Sequence, residues 1–308
     1  MIDDTPAGRR AWLRRSGMLL MGAGLGSTSG AGLGVMASLG LPSPAWADTA
    51  GGKAAQRIVS MGGTLTEIVF ALGQGHRVVG VDASSLYPPE AGKLPQVGYF
   101  RQFSVEGVAS LKPDLVIAPT EAGPAQAVAG LKGLGVPVKQ FELKHSLAEL
   151  NARIDDLAML LGVPDQGQAL KARIAAQVEA ATATPAKARV LVLSSHAGKL
   201  QAAGRDTAID AQLKMLGAEN LMAASHSAYK PVSGEAVAAL RPDVIITSPL
   251  SLAQGGLDAF RTQPGIAVTP AAKNKRIIVL DDLLMLGFGP RVGEGLAQLA
   301  AGLKEKER

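Results

Sequence analysis

The residue whose type and position best suit it for chemistry is Tyr87, in a loop restricted by Pro88 and Pro89. The loop follows the apolar run Val78–Val81, which predicts a buried strand, and ligands commonly bind at the carboxyl ends of parallel strands. A phenolate oxygen can ligate ferric haem iron, and a nearby arginine would lower the pKa of the phenol. The alternative is a surface tyrosine whose hydroxyl faces water.

Further aromatic and basic residues follow Tyr87 in the same part of the chain. Tyr99, Phe100 and Arg101 are consecutive and place an aromatic pair beside a guanidinium. Tyrosine is scarce, with three in 308 residues, so this recurrence favours a shared site.

Two candidates lie in the second half of the chain. His196 follows an apolar run at 189–194, and is either a ligand contact at a strand end or an ordinary polar loop residue. Arg291 follows the last predicted strand and either reaches the same region or begins a helix in solvent. No two of the four histidines are closer than 30 residues, which excludes a local pair of metal ligands.

A sequence motif occurs twice in the chain and predicts its organisation. Residues 104–117 read SVEGVASLKPDLVI, and residues 233–246 read SGEAVAALRPDVII, so that Glu106 matches Glu235. Each copy predicts a short helix, a turn at Pro-Asp and a buried strand, because proline disfavours helical geometry in the preceding residue. Two copies indicate two similar α/β lobes rather than a solenoid.

Strand and helix patterns alternate on both sides of one long helical stretch. They predict an N-terminal α/β lobe at 54–144, a linking helix at 145–184 that is broken near 162–165, and a C-terminal α/β lobe at 185–308. Two α/β lobes joined by a single long helix leave a ligand cleft between them, with the strand ends facing it. Glu106 and Glu235 would then lie on one face of the protein and flank the cleft.

The composition excludes several classes of function. The chain has no cysteine, which excludes disulfides, thiolate metal sites and a lipid-modified cysteine. Its net charge of +5 is scattered and its aromatic residues are few, so no nucleic-acid partner is expected. No nucleophile elbow, phosphate loop or zinc-protease motif occurs, and we therefore expect a binding protein rather than an enzyme.

Residues 1–47 have the features of an export signal peptide. Arg9 and Arg10 open it, an apolar glycine-rich stretch follows at 18–41, and small residues at Ala45 and Ala47 form a cleavage pattern. The arginine pair resembles a twin-arginine signal. The expected location is the periplasm after cleavage near Ala47, and the alternative is an uncleaved membrane anchor.

The sequence resembles the periplasmic haem-binding proteins of bacterial haem ABC importers, which are substrate-binding proteins of the helical-backbone class. The match extends from Arg57 to Arg291, and its general lobe pattern is shared with vitamin B12 and siderophore binders. Its segments are 84–88, 94–101, 104–108, 121–124, 202–210, 229–231 and 286–291.

The resemblance implies two Rossmann-like lobes bridged by one helix, with haem as the transported ligand. It implies that Tyr87 ligates the haem iron, and that His196 is the candidate for a second, stacked haem. Cleft and propionate contacts would come from Arg101, Arg291, Tyr99 and Tyr229.

The implied partners are an ABC permease dimer at the inner membrane, docked through Glu106 and Glu235, and an outer-membrane receptor as a possible source of haem. One departure is visible, because relatives tend to carry an arginine where this chain has Gly255. The second-lobe arginine partner of the tyrosine is then either missing or replaced by Arg205 or Arg291. A corrinoid or ferric siderophore is the alternative ligand, while an exported enzyme or a zinc or manganese receptor fits the residues less well.

Overall fold

The computed structural model of this chain describes residues 54–196, 199–253 and 255–304. The predicted export segment at 1–47 lies outside the described residues.

The first lobe is an α/β unit built on a fully parallel sheet. Its elements are β1 (Ile58–Ser60), α1 (Gly63–Ala71), β2 (Val78–Val81), β3 (Gly98–Tyr99), β4 (Gln102–Phe103), α2 (Val105–Ser110), β5 (Leu115–Pro119), α3 (Ala125–Gly133) and β6 (Val138–Phe141). The sheet order is β2-β1-β5-β6, and β3 and β4 form a separate antiparallel hairpin. The loops after β2 and β5 therefore meet at one edge of the sheet, as predicted.

Two helices connect the lobes, α4 (Leu147–Leu160) and α5 (Pro164–Thr182). The Ser146 hydroxyl caps α4 by accepting the Glu149 N–H at 3.2 Å. Gly162 then adopts a φ of 72°, a left-handed conformation that suits glycine, and Pro164 starts α5 where a missing N–H costs nothing. The break predicted near 162–165 is confirmed, and α5 is the long helix that leads into the second lobe.

The second lobe repeats the α/β plan with antiparallel additions. Its elements are β7 (Arg189–His196), β8 (Lys199–Ala203), α6 (Ala208–Met215), β9 (Glu219–Asn220), β10 (Tyr229–Pro231), α7 (Gly234–Leu240), β11 (Val244–Thr247), α8 (Gly256–Arg261), α9 (Pro270–Lys273), β12 (Ile277–Val279), α10 (Asp282–Leu286) and α11 (Val292–Lys304). The sheet order is β10-β8-β7-β11-β12, with β9 beside β7. Strands β8 and β10 run antiparallel to their neighbours, an arrangement that the sequence did not predict.

One hydrophobic core runs through both lobes. It includes Ile58 and Ile117 from the first sheet, Val190 and Ile246 from the second, and Leu296 from α11. The opposite face of each sheet packs into a cluster of its own. The connecting helices α4 and α5 contribute to this shared core, and exposing part of it would cost about 25 cal/mol per Å² of apolar surface. The boundaries at 144/145 and 184/185 stay predictions.

The repeated sequence motif forms the same local structure in each lobe. The hydroxyls of Ser104 and Ser233 cap α2 and α7 by accepting backbone N–H groups at 2.9 and 3.2 Å. Beyond each helix, the aspartate of Pro-Asp accepts a backbone N–H from the neighbouring strand, Asp114 from Arg57 at 2.9 Å and Asp243 from Arg189 at 3.4 Å. Both arginine side chains also donate to backbone carbonyls at the end of the helix in their own lobe. Arg57 donates to Leu111 and Lys112, and Arg189 donates to Leu240 and Arg241.

A buried ion pair joins the two lobes between α1 and the segment before α11. Arg291 donates from Nε and Nη2 to the two carboxylate oxygens of Glu67, at 3.1 and 2.8 Å. Their side chains are 14% and 8% exposed. Gly287 and Gly289 allow this close approach, because a Cβ at either position would lie 3.2 Å from a side-chain atom of Thr64. Burial raises the pKa of Glu67, which its hydrogen bond and charge interaction with Arg291 only partly offset.

We expect Arg291→Ala to lower the free energy of unfolding by about 3 kcal/mol at neutral pH, because it leaves the Glu67 carboxylate buried without its partner. The pKa of Glu67 is already raised in the folded protein, and losing Arg291 raises it further. Above that pKa the buried charge destabilises the fold, and as the pH falls through it protonation removes the charge. The deficit relative to the wild type should therefore shrink toward about pH 5.

Urea unfolding followed by circular dichroism measures this deficit at the two pH values. Glu67→Gln is the matched control, because it keeps the side-chain volume and removes the charge, and it should cost less than Arg291→Ala. A deficit for Arg291→Ala that is the same at both pH values would contradict this account of the ion pair.

Candidate functional site

Tyr87 lies in the loop after β2 and is 38% exposed. The Arg291 guanidinium carbon stands 3.6 Å from the centroid of its ring, which is within the range of a cation–π contact. The arginine comes from the second lobe and the tyrosine from the first, so this contact lies where the lobes meet. The contact holds the Arg291 cation over the face of the Tyr87 ring.

The hairpin β3–β4 presents the second aromatic group of the first lobe. Tyr99 is 46% exposed, and its ring centroid is 4.6 Å from that of Phe100. The Arg101 guanidinium lies 5.0 Å from the Phe100 ring centroid, and the Arg101 residue is exposed. The structure therefore places a tyrosine, a phenylalanine and a cation together on this hairpin.

The second-lobe candidates are more varied in their placement. Tyr229 lies on β10, and its hydroxyl is covered and has no hydrogen-bond partner within the described part of the chain. Burial, followed by the negative charge of Asp282, raises the pKa of this tyrosine. Arg205 is exposed, with its Nε 3.8 Å from a carboxylate oxygen of Asp206. His196 ends β7 and pairs with Lys199 in the strand ladder, and only its backbone is described.

Glu106 and Glu235 occupy the first turns of α2 and α7 and are both exposed. Carboxylates in this position interact favourably with the helix dipole. The pKa of Glu235 is lowered by hydrogen bonds from its own backbone N–H and from Ser233. Both glutamates therefore present negative charge at equivalent places in the repeat.

Sequence reasoning missed two residues that organise the site. Glu67 holds the arginine above Tyr87, and Asp82 is fully buried behind the loops that carry Tyr87 and Tyr99. A signal for Glu67 was available, because it is the single charged residue in the apolar helix Gly63–Ala71. Asp82 lies just after a strand and shortly before two serines, a pattern that is typical of an ordinary turn. Its sequence context therefore did not indicate that it is buried.

No group of three histidine, cysteine, aspartate or glutamate residues suited to a metal ion occurs among residues 54–196, 199–253 and 255–304. Within those same ranges, none of the helices has the length and apolar character required to cross a membrane.

A groove of about 630 Å³ runs along the surface where α5 and α11 pack together. It is lined mainly by alanine and glycine, including Ala180, Gly293 and Ala297. None of the tyrosines or arginines discussed above lines it, and Tyr87 with the Arg291 guanidinium over its ring stays the candidate site.

Comparison with characterised sequences places this architecture in a family. Residues 58–284 match the family described as periplasmic binding protein. An uncharacterized ABC transporter substrate-binding lipoprotein of Bacillus subtilis, YvrC, is 30% identical over 82% of this chain and 81% of its own. A vitamin B12-binding protein of Vibrio parahaemolyticus is 29% identical over 66% of this chain and 74% of its own.

Solved structures give closer matches. The apo periplasmic haem-binding protein RhuT from Roseiflexus sp. RS-1 is 40% identical, with a TM-score of 0.76 and coverage of 81% of this chain and 98% of its own. The periplasmic haem-binding protein BhuT in complex with two haems is 41% identical, with a TM-score of 0.75 and coverage of 80% and 97%.

These relatives are named for binding rather than for catalysis, and this chain is likewise a binding protein and not an enzyme. The two-lobed α/β fold predicted from the sequence is confirmed. The chain belongs to the periplasmic binding protein family, as the substrate-binding component of an ABC importer.

Proposed function

We propose that the protein captures haem in the cleft between its lobes and delivers it to an ABC permease in the inner membrane. The observation that carries this proposal is Tyr87, an accessible tyrosine with a guanidinium 3.6 Å from its ring centroid. A tyrosine oxygen is a suitable ligand for ferric haem iron. The similarity to two haem-binding proteins at 40% and 41% identity supports the same ligand.

The surrounding residues complete the proposed haem site. Tyr87 ligates the iron, while Tyr99 and Tyr229 contact the haem from the two lobes. The two propionates require cations or water, and arginine can bind a carboxylate through two parallel hydrogen bonds. Arg101 is exposed, whereas Arg291 already donates twice to Glu67. We therefore expect Arg101 to contribute more to propionate binding than Arg291.

His196 is proposed as the contact for a second, stacked haem. It stands at the end of β7, where this strand has run beyond its parallel pairing with β11 and pairs antiparallel with β8. The complex of the similar protein BhuT with two haems supports a stoichiometry above one.

A corrinoid is the second candidate ligand, and the similarity to a vitamin B12-binding protein favours it. A ferric siderophore stays open on the general lobe pattern alone. An accessible tyrosine favours ferric haem, because haem iron offers an open axial position to its oxygen, whereas both axial positions of the cobalt in cyanocobalamin are already occupied. Binding of hemin and of cyanocobalamin to the same preparation separates these ligands.

The proposed location is the periplasm, after removal of the signal peptide near Ala47, with an outer-membrane receptor as a source of haem. Delivery requires docking on the permease, and we assign it to Glu106 and Glu235. Two exposed carboxylates on rigid lobes can meet a twofold-symmetric partner, fix the register of docking and speed the encounter.

Tyr87→Phe should abolish the phenolate-to-iron charge-transfer band of the hemin complex and weaken hemin binding at least about tenfold. The substitution removes only the phenol oxygen and keeps the ring under Arg291. Absorbance titration with hemin measures both effects.

Tyr99→Phe is the matched control for that experiment, because it removes the hydroxyl of the neighbouring accessible tyrosine. It should keep the charge-transfer band. If Tyr99→Phe loses the band and Tyr87→Phe retains it, Tyr99 is the iron ligand and our assignment is wrong.

Reversing the charge at both Glu106 and Glu235 to lysine should leave hemin affinity unchanged and reduce haem uptake through the permease. The double change to alanine should have a smaller effect, since it removes attraction without adding repulsion. Uptake into cells or permease-containing proteoliposomes is the measurement. Wild-type uptake by the double lysine variant, or a defect traced to lost hemin affinity, would refute the docking role.

A further inference from the structure

Asp82 accepts hydrogen bonds from three separate segments of the first lobe, although its side chain is completely buried. Its Oδ1 accepts the Gly62 N–H at 2.8 Å and the Ser85 hydroxyl at 2.7 Å. Its Oδ2 accepts the Ser84 N–H and hydroxyl, at 3.1 and 2.7 Å, and the Phe100 N–H at 3.2 Å. Every partner is a donor, so both carboxylate oxygens act as acceptors.

These segments are the ones that carry the candidate haem contacts. Gly62 precedes α1, the helix of Glu67. Ser84 and Ser85 lie in the loop that carries Tyr87, and Phe100 follows Tyr99 on the β3–β4 hairpin. One carboxylate therefore links the helix that holds Arg291 to both tyrosine-bearing loops.

The surrounding hydroxyls extend this link into the core. The Ser85 hydroxyl lies 2.8 Å from that of Thr66, which lies 2.8 Å from that of Ser60 on β1. The Ser84 hydroxyl also accepts the Gly63 N–H at 3.2 Å. The loop before Tyr87 is thus joined to the first turns of α1 and to the sheet, rather than resting on the surface.

We propose that Asp82 is a positioning residue, which holds the Tyr87 loop and the Tyr99 hairpin in the register needed for one haem to meet both. The identity of the ligand in this proposal rests on the proposed haem function, whereas the link between the two loops rests on the hydrogen bonds of Asp82 alone. Asp82 touches no haem itself, and it acts through the backbone of its neighbours. Interactions that preorganise a site lower the ordering cost of binding.

Asp82→Asn is the sharpest variant, because it preserves the size of the side chain and replaces one acceptor oxygen with a donor. The serine hydroxyls can rotate to accept from the amide, but the N–H groups of Gly62, Ser84 and Phe100 cannot. At least one buried N–H therefore loses its partner. In the ligand-free protein, backbone amide exchange should rise in residues 84–87 and 98–101 and stay unchanged in the second lobe.

Asp210→Asn provides the matched control in the second lobe. Asp210 is also a buried aspartate, bonded to Asn220 at 2.9 Å and to Lys214 at 2.7 Å, and it has no part in the tyrosine loops. It should lower the stability of the fold without increasing exchange in residues 84–87 and 98–101.

With hemin, Asp82→Asn should weaken binding about tenfold and alter the phenolate charge-transfer band, whereas Asp210→Asn should do neither. If Asp82→Asn does not fold, Ser84→Ala removes one of the five bonds to Asp82, together with the bond from the Gly63 N–H, and should give smaller changes of the same kind. Unchanged exchange in both loops, or an unchanged hemin spectrum and affinity, would overturn the positioning role. If the wild type fails to bind hemin while the loop exchange still responds to Asp82→Asn, the proposed ligand is wrong and the link between the loops stands.

Discussion

The Glu67–Arg291 ion pair is the constraint on which the arrangement of the site depends. A carboxylate buried in α1 requires a cation, and the second lobe supplies it from the segment that leads into α11. Removing either charge alone is costly, because the partner would remain desolvated. The pair therefore holds the two lobes together at this point, and it also positions the Arg291 guanidinium over the ring of Tyr87. The same ion pair therefore contributes both to the packing of the lobes and to the surroundings of the candidate tyrosine.

This arrangement separates two roles that an arginine at the cleft could have. The Arg291 guanidinium is committed to Glu67 and Tyr87, whereas the exposed Arg101 is the one we propose for the propionates. Behind the first lobe's loops, Asp82 supplies the matching backbone constraint. The cleft is then built mostly before a ligand arrives, consistent with a binding protein whose lobes share one hydrophobic core.

Much of the fold could be predicted because its signals are local. Apolar runs gave the parallel strands, and the repeated Ser-x-Glu and Pro-Asp positions marked the capped helices and turns of both lobes. The antiparallel strands β8 and β10 could not be predicted, because their pairing partners are set by tertiary contacts rather than by their own weakly apolar sequences. Glu67 and Arg291 are 224 residues apart, so their pairing had no local signature, and neither did the covered hydroxyl of Tyr229. The individual roles of the site residues stay predictions.

Ligand identity is the central claim, and parallel titrations of the wild-type protein with hemin and with cyanocobalamin test it most directly. Absorbance at the Soret band follows the first, and competition with bound hemin follows the second. We expect hemin to saturate at one or two equivalents, with a phenolate charge-transfer band, and cyanocobalamin to fail to displace it at comparable concentration. Tighter binding of cyanocobalamin, or hemin absorbance that never saturates, would contradict it.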